Sequence, residues 1–229
     1  MRNLSVCPLD DDMHDAAAIT PLQPPIQHSA KQLHSNRFYD DEAGPYAERT
    51  LTAPLPPLLD AFIHSLEPSS NVLDLGCGAG RDLLTLCRAG FDCLGVDLSA
   101  GLADIARAHT GATVIASDMR TLDLGDAQFD GVVAIASLLH LSSVEQSRQL
   151  AKIIKWLRAG GFLLATMKIG SGSEVTRDDR RFTYVEPDTW LEMLQGCGFE
   201  VVQSQVTRGS NAVSTSDHDW LAVLARKPD

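Results

Sequence analysis

Val72-Leu73-Asp74-Leu75-Gly76-Cys77-Gly78-Ala79-Gly80-Arg81-Asp82 decides the fold. A short apolar run ends in an acidic residue and opens into alternating glycines. The next segment, 83–89, reads as helix. Strand, glycine turn and helix in this order let a ligand approach bare backbone and a helix N-terminus. Glycine is needed because a side chain would block that approach or forbid the turn's dihedrals.

A dinucleotide fingerprint, G-x-G-x-x-G/A, needs a small third residue where the helix packs on the strand. Counted from Gly76 that position is Arg81, and counted from Gly78 it is Leu83. The pattern is instead D-x-G-x-G-x-G, with Asp74 inside the strand end. This counts against a dehydrogenase.

The chain has 229 residues, which suits one domain with a short appendage and a full core. Hydrophobic content of 44% and charged content of 21% are those of a soluble globular protein. A formal charge of −11 counts against a nucleic-acid partner, since neutralising phosphates takes clustered Lys and Arg. The five cysteines (Cys7, Cys77, Cys87, Cys93, Cys197) form no C-x-x-C pair and predict no metal site. Reduced thiols in a cytoplasmic protein are the simplest reading. No apolar run approaches membrane-span length, and the N-terminus lacks the apolar stretch of a signal peptide. Oligomeric state is not legible.

Residues 1–35 are poorly patterned and Pro-rich, and read as a tail, with a flap over the active site as the alternative. Residues 36–229 form the domain. Leu55, Leu58, Leu59, Phe62, Ile63 and Leu66 recur at helical spacing until Glu67-Pro68. Apolar runs at 72–75, 92–96, 113–116, 131–136, 162–167, 200–206 and 220–225 predict seven strands. Helical segments separate most of them. One, at 144–157, has a capping box in Ser142 and Glu145, and another begins at Pro187. Such alternation implies an α/β fold, a mostly parallel sheet covered on both faces. The last two strands lack an intervening helix and predict a hairpin.

Three more signatures follow. In Gly95-Val96-Asp97-Leu98-Ser99, Asp97 ends the second strand about twenty residues past the glycines, where a carboxylate can accept ribose hydroxyls. Its bland alternative is capping the next helix, but Ser99 already suits that role. The third is Ala116-Ser117-Asp118-Met119-Arg120. The fourth, Phe129 to Ala136 followed by Ser137-Leu138-Leu139-His140, is a strand and its exit at the sheet's carboxyl end, where α/β ligands bind. Leu157-Arg158-Ala159-Gly160-Gly161 reads as the turn before strand five.

In this order and spacing the motifs resemble class I S-adenosylmethionine-dependent methyltransferases, over roughly residues 38 to 228. The resemblance implies a Rossmann-like seven-stranded sheet of order 3-2-1-4-5-7-6 with an antiparallel edge strand, and S-adenosyl-L-methionine as cofactor. It assigns the loop Gly76, Cys77, Gly78 and Gly80, with Asp97 and Leu98, to that cofactor. Asp118 would receive the adenine amino group and Met119 cover the ring, while Ala136 and Ser137 line the strand exit. Asp74 orders the loop or receives the ligand's ammonium. Phe38-Tyr39-Asp40, Tyr46 to Thr50, Ser137 to His140 and Trp220 to Arg226 resemble a tellurite-resistance-like subgroup of small-molecule enzymes. There, tyrosines before the first strand fold back towards the methionine end, which assigns Tyr39 and Tyr46; aromatic packing is their alternative.

Methyl transfer needs a base only when the acceptor must lose a proton. His140 is the candidate catalytic residue, against a packed histidine bonded to a carbonyl. The segment 168–184 predicts a substrate loop, with Lys168, Arg181 and Tyr184 as substrate contacts. No Asn/Asp-Pro-Pro-Tyr/Phe and no cysteine follows the fourth strand, which counts against amino methylation of DNA and against the cytosine-C5 mechanism. The expectation is methyl transfer to a small O, N or S nucleophile, with no nucleic-acid or membrane partner. The alternatives are a cofactor-binding module without turnover and modification of a macromolecule.

Overall fold

The computed structural model describes residues 33–175, 180–208 and 218–229. The expected N-terminal tail lies outside them, except that its last residues open a helix. In chain order the elements are α1 (Leu33–Asp41), α2 (Ala43–Leu51), α3 (Leu59–His64), β1 (Asn71–Leu75), α4 (Arg81–Arg88), β2 (Asp92–Asp97), α5 (Ala100–Thr110), β3 (Thr113–Ala116) and β4 (Phe129–Ile135). A 3-10 turn (Leu138–His140), α6 (Ser143–Trp156), β5 (Leu157–Lys168), β6 (Ser173–Val175), β7 (Arg181–Thr183), α7 (Pro187–Gly196), β8 (Glu200–Thr207) and β9 (Trp220–Arg226) follow.

Seven strands form one sheet in the order β3-β2-β1-β4-β5-β9-β8. Counting β8 and β9 as the sixth and seventh strands, this is the expected order. The strands from β3 to β5 are parallel, and β9 runs against both β5 and β8. The sheet is buried on both faces with a period of two. Leu73 and Leu75, Val132 and Ala134, and Leu163, Ala165 and Met167 pack with α6 and α7 through Leu150, Ile153, Trp156, Trp190 and Leu194. Val72, Val133 and Leu164 face the other way, onto Leu59, Phe62, Leu86 and Phe91. Alternation of this kind is what a strand's geometry imposes.

Local signals behave as read. Ser142 and Glu145 make both bonds of the capping box at α6, Ser99 caps α5 and Pro187 opens α7. Three features differ from expectation. The helical spacing at 55–66 gives a helix only over Leu59–His64, because Pro54, Pro56 and Pro57 cannot join it. Leu157 to Gly161 is a bulge within β5 rather than a turn before it: Leu157 pairs with Phe129 and Phe162 with Gly131. The segment 168–184 is not simply a loop, since β6 and β7 pair as a separate hairpin. Among the described residues no helix is long and apolar enough to cross a membrane, and no cluster of His, Cys, Asp or Glu could hold a metal.

Candidate functional site

The carboxyl ends of β1, β2, β3 and β4 bring the predicted signatures to one edge of the sheet. Gly76, Gly78 and Gly80 all have positive φ. At Gly76 (φ 84°) a Cβ would stand 2.3 Å from Ser137 Cβ, so the loop lies against the β4 exit with no room for a side chain. At Gly78 (φ 54°) a Cβ would meet nothing within 4 Å. Glycine there leaves space in front of the loop.

The loop's amides are largely satisfied within the protein. Gly76 and Cys77 both donate to the Val96 carbonyl, at 2.7 and 3.0 Å, and Gly80 donates to Cys77. The Gly78 N–H donates to Asp97 Oδ2 at 2.8 Å, and the Ser99 N–H to Asp97 Oδ1 at 2.9 Å. The loop therefore offers a side-chain-free surface more than free donors, contrary to the reading of bare amides. Burial raises the Asp97 carboxyl above the usual carboxylate range, opposed by these two amides.

Asp74 is 1% exposed, and its Oδ2 has no hydrogen-bond partner. Burial pushes its carboxyl well up, with neighbouring Asp82 adding to the effect. Asp82 is held by Arg81, whose Nε and Nη2 reach its two oxygens at 2.9 and 2.7 Å. An acceptor left buried without a donor is costly, and it suits a cationic ligand group. The Ser137 Oγ is likewise buried without a partner. The Cys77 thiol is buried and its pKa is raised, which keeps it protonated.

Asp118 and Met119 lie just past β3. Asp118 is buried, and both its oxygens accept from Arg120, whose Nε and Nη2 approach to 2.9 and 2.8 Å. The sequence reading did not foresee this partner two residues away. Met119 packs against the main core at the same edge, and Leu98 follows Asp97 half-buried.

The other end of the site is aromatic. Ala136 adopts φ 51°, a left-handed conformation costly for alanine, and its N–H donates to Thr166 Oγ1. This kink turns the chain from β4 into the 3-10 turn that carries His140. The Tyr39 hydroxyl of α1 lies 3.1 Å from His140 Nε2, and His140 Nδ1 lies 2.8 Å from the Arg181 carbonyl. The carbonyl bond is the one that the packed-histidine alternative expects, here to Arg181 on a distant segment. Burial pushes the imidazole down to about 4, with Arg180 and Lys168 acting in the same direction. The ring is therefore neutral near pH 7. Burial raises the Tyr39 and Tyr46 phenols, and their rings meet edge to face at 5.1 Å.

Of the expected substrate contacts, Lys168 is buried, with Nζ 3.9 Å from the Phe182 ring centre. The Arg181 side chain is exposed, and it is the residue's carbonyl that meets the site. Tyr184 packs on His218 at 4.6 Å. Arg180, not singled out from the sequence as a site residue, has its guanidinium 4.0 Å from the Phe38 ring centre. Asp40 was also missed as a contact: it accepts from Ser99 Oγ at 2.5 Å and ties α1 to the start of α5. Its place beside Tyr39 in the sequence was the available signal.

Residues 72–161 match the methyltransferase domain family Methyltransf_25. A probable tRNA methyltransferase 9B of Bos taurus is 29% identical over 142 residues, which cover 61% of this chain and 30% of that protein. The chain spans less than half the length of the curated relatives it matches. Among solved structures, the 1,6-didemethyltoxoflavin-N1-methyltransferase of Burkholderia thailandensis superposes with a TM-score of 0.69 at 25% identity, covering 94% of this chain and 97% of that one. That structure holds 1,6-didemethyltoxoflavin and S-adenosylhomocysteine. A TehB-like S-adenosylmethionine-dependent methyltransferase of Corynebacterium glutamicum shares the fold, with a TM-score of 0.61 at 20% identity, covering 82% and 99%. The strand order, the glycine loop and these matches agree: the chain carries a class I S-adenosylmethionine-dependent methyltransferase domain.

Proposed function

We propose that the chain transfers the methyl group of S-adenosylmethionine to a small-molecule acceptor by in-line displacement, with the acceptor at the Tyr39–His140 end of the site. The observation that carries this reading is the hydrogen-bonded Tyr39–His140 pair at the β4 exit, on the same sheet edge as the glycine loop. The end-to-end likeness to a small-molecule enzyme of similar size supports it.

The residues present fit the cofactor. Asp74 Oδ2, buried without a donor, suits the ammonium of the methionine tail. The open space before Gly78 admits the nucleoside, with Asp97 beside it for the ribose. Asp118 and Met119, with Leu98, border the adenine side, and Ala136, Ser137 and Tyr46 the methionine side. When bound, the cofactor supplies a methyl activated by a sulfonium leaving group. The protein's remaining work is to position the acceptor, exclude water and take a proton where the acceptor carries one. Tyr39 Oη and the neutral His140 ring are the groups that can take it. Lys168 and the rings of Phe182 and Trp220 form the wall behind.

A second reading, a tRNA acceptor, is favoured by the sequence match to tRNA methyltransferases. That match covers part of each relative, and the charge of −11 opposes a phosphate backbone. Product formation from S-adenosylmethionine against thiols, phenols, heteroaromatic nitrogens, metalloid oxyanions and bulk tRNA separates the readings. Methylation of a small acceptor is expected. Methylation of tRNA alone would overturn the small-molecule assignment, and binding of adenosylhomocysteine with no product anywhere would indicate a binding module.

A further inference from the structure

β8 (Glu200–Thr207) is the outermost strand of the sheet, and among the described residues no strand pairs with its far side. The opposite edge strand, β3, has four residues against its eight. A free edge offers a row of backbone N–H and C=O groups to another strand, and edges that stay unpaired are blunted by charges, proline, bulges or shortness. Of these devices β8 has one bulge, at Val202 near its start, while Gln203 to Thr207 stay in step with β9. No charge and no proline stands between Val201 and Thr207. Val202 and Val206 are 54% and 49% exposed, two of the four exposed large apolar side chains among the described residues, so such exposure concentrates on this strand.

The strand also reads the same in both directions, as Val202-Gln203-Ser204-Gln205-Val206. Two antiparallel copies related by a two-fold axis at Ser204 set Ser204 against Ser204, Gln203 against Gln205 and Val202 against Val206. Counted further out, Val201 meets Thr207, and Glu200 meets Arg208, an exposed cation just past the strand. Residues directly opposite each other share a face, so like side chains meet along the palindrome and opposite charges meet at both ends. Self-complementarity of one surface is what a two-fold contact requires. We propose that β8 pairs with β8 of a second copy of this chain, antiparallel and centred on Ser204, so that two seven-stranded sheets become one continuous sheet. The chain's formal charge of −11 makes two copies repel over most of their surfaces. This edge brings them together along an uncharged strand with an acidic and a basic residue at its ends. β9, β5 and β4 separate β8 from β1 and its glycine loop, and the proposal does not depend on the methyl-transfer reading.

The test is sedimentation equilibrium of the full chain over a range of concentrations, in wild type, Ser204→Lys and Arg208→Glu, joined to cross-linking of Ser204→Cys under mild oxidation. Wild type is expected to be a dimer. Ser204→Lys sets two cations against each other on the axis and is expected to weaken the dimer about 100-fold, and Arg208→Glu, which faces Glu200, about tenfold. A retained cooperative thermal transition shows that each variant is folded. Ser204→Cys is expected to form a covalent dimer, because the two Cα atoms of a directly opposed antiparallel pair lie within disulfide reach. Wild type under the same oxidant sets the background of the native cysteines. Gln203→Cys alone is expected to stay at that background, and to cross-link when mixed with a Gln205→Cys chain. A monomer at every concentration, whether the edge is open or covered by residues 1–32 of its own chain, would overturn the proposal. So would a dimer that Ser204→Lys leaves intact, or cross-linking through Gln203→Cys alone that equals cross-linking through Ser204→Cys.

Discussion

The two ends of the site are built by different means. At the cofactor end, strand ends and a glycine loop place carboxylates by local geometry: Asp74 inside β1, Asp97 closing β2, Asp118 just past β3. At the acceptor end, α1 and the segment at 180–185 meet over the β4 exit through ring contacts and one hydrogen-bond chain, from residues more than a hundred positions apart. The first end carries buried carboxyl groups: Asp74 and Asp97 are pushed up by burial, and Asp118 is paired with Arg120. The second carries cations against aromatic faces. On the proposed reading, the cationic cofactor faces the carboxyl groups and the acceptor faces the cations, along one sheet edge.

The sharpest way to break this contrast is at the loop. Gly76→Ala sets a Cβ against Ser137 in a left-handed conformation, and is expected to cost about 3 kcal/mol of stability together with adenosylhomocysteine binding. Thermal melts and calorimetry check both. Gly78→Ala meets no protein atom, so about 1 kcal/mol of stability is lost while ligand affinity falls about tenfold or more. Equal effects of the two substitutions on folding and binding would remove the distinction between a packed and a ligand-facing glycine.

At the acceptor end, Tyr39→Phe and His140→Ala are expected to lower kcat by about 10- to 100-fold and leave adenosylhomocysteine affinity within about twofold. Steady-state kinetics beside a binding titration decide it. A loss of cofactor affinity equal to the loss of rate would merge the two ends into one.

How far sequence reached follows the same division. The seven strands, the capping box at Ser142, the Ser99 cap and the placement of Asp74, Asp97 and Asp118 at strand ends were legible, because strand periodicity, glycine turns and caps act over a few residues; the order of the strands came from the family resemblance. The helices α1 and α2, the β6–β7 hairpin and the Arg120 clamp on Asp118 were not. In α1 and α2 the pattern is mostly polar, and their burial comes from contact with α5. Arg180 was not singled out, because its neighbours Phe38 and Tyr39 lie on another element. His140 was found by its place after β4, but its partners could not be read from spacing.

Charge gives a subtler separation. His140 titrates at about 4 when folded and near 6.5 when unfolded, so the unfolded chain binds more protons between those values, and stability falls as pH drops from about 6.5 towards 4. His140→Gln should flatten that fall in a melting series. Asp74 has the opposite sign: its raised carboxyl favours the folded state below the ordinary carboxylate range and loses that advantage as pH rises through its folded pKa. Asp74→Asn is therefore expected to gain about 1 kcal/mol at pH 7 while weakening adenosylhomocysteine, since the amide stays neutral where the buried carboxyl is penalised for charging. A destabilised Asp74→Asn chain with unchanged ligand affinity would assign that carboxylate to the fold alone.

The most direct test of the whole account is a calorimetric titration of adenosylhomocysteine into wild type and Asp97→Ala. Micromolar binding by wild type, weakened about 100-fold in the variant, is the predicted result. Absence of binding at millimolar ligand, or equal affinity in the two proteins, would contradict a nucleoside held between Gly78 and Asp97.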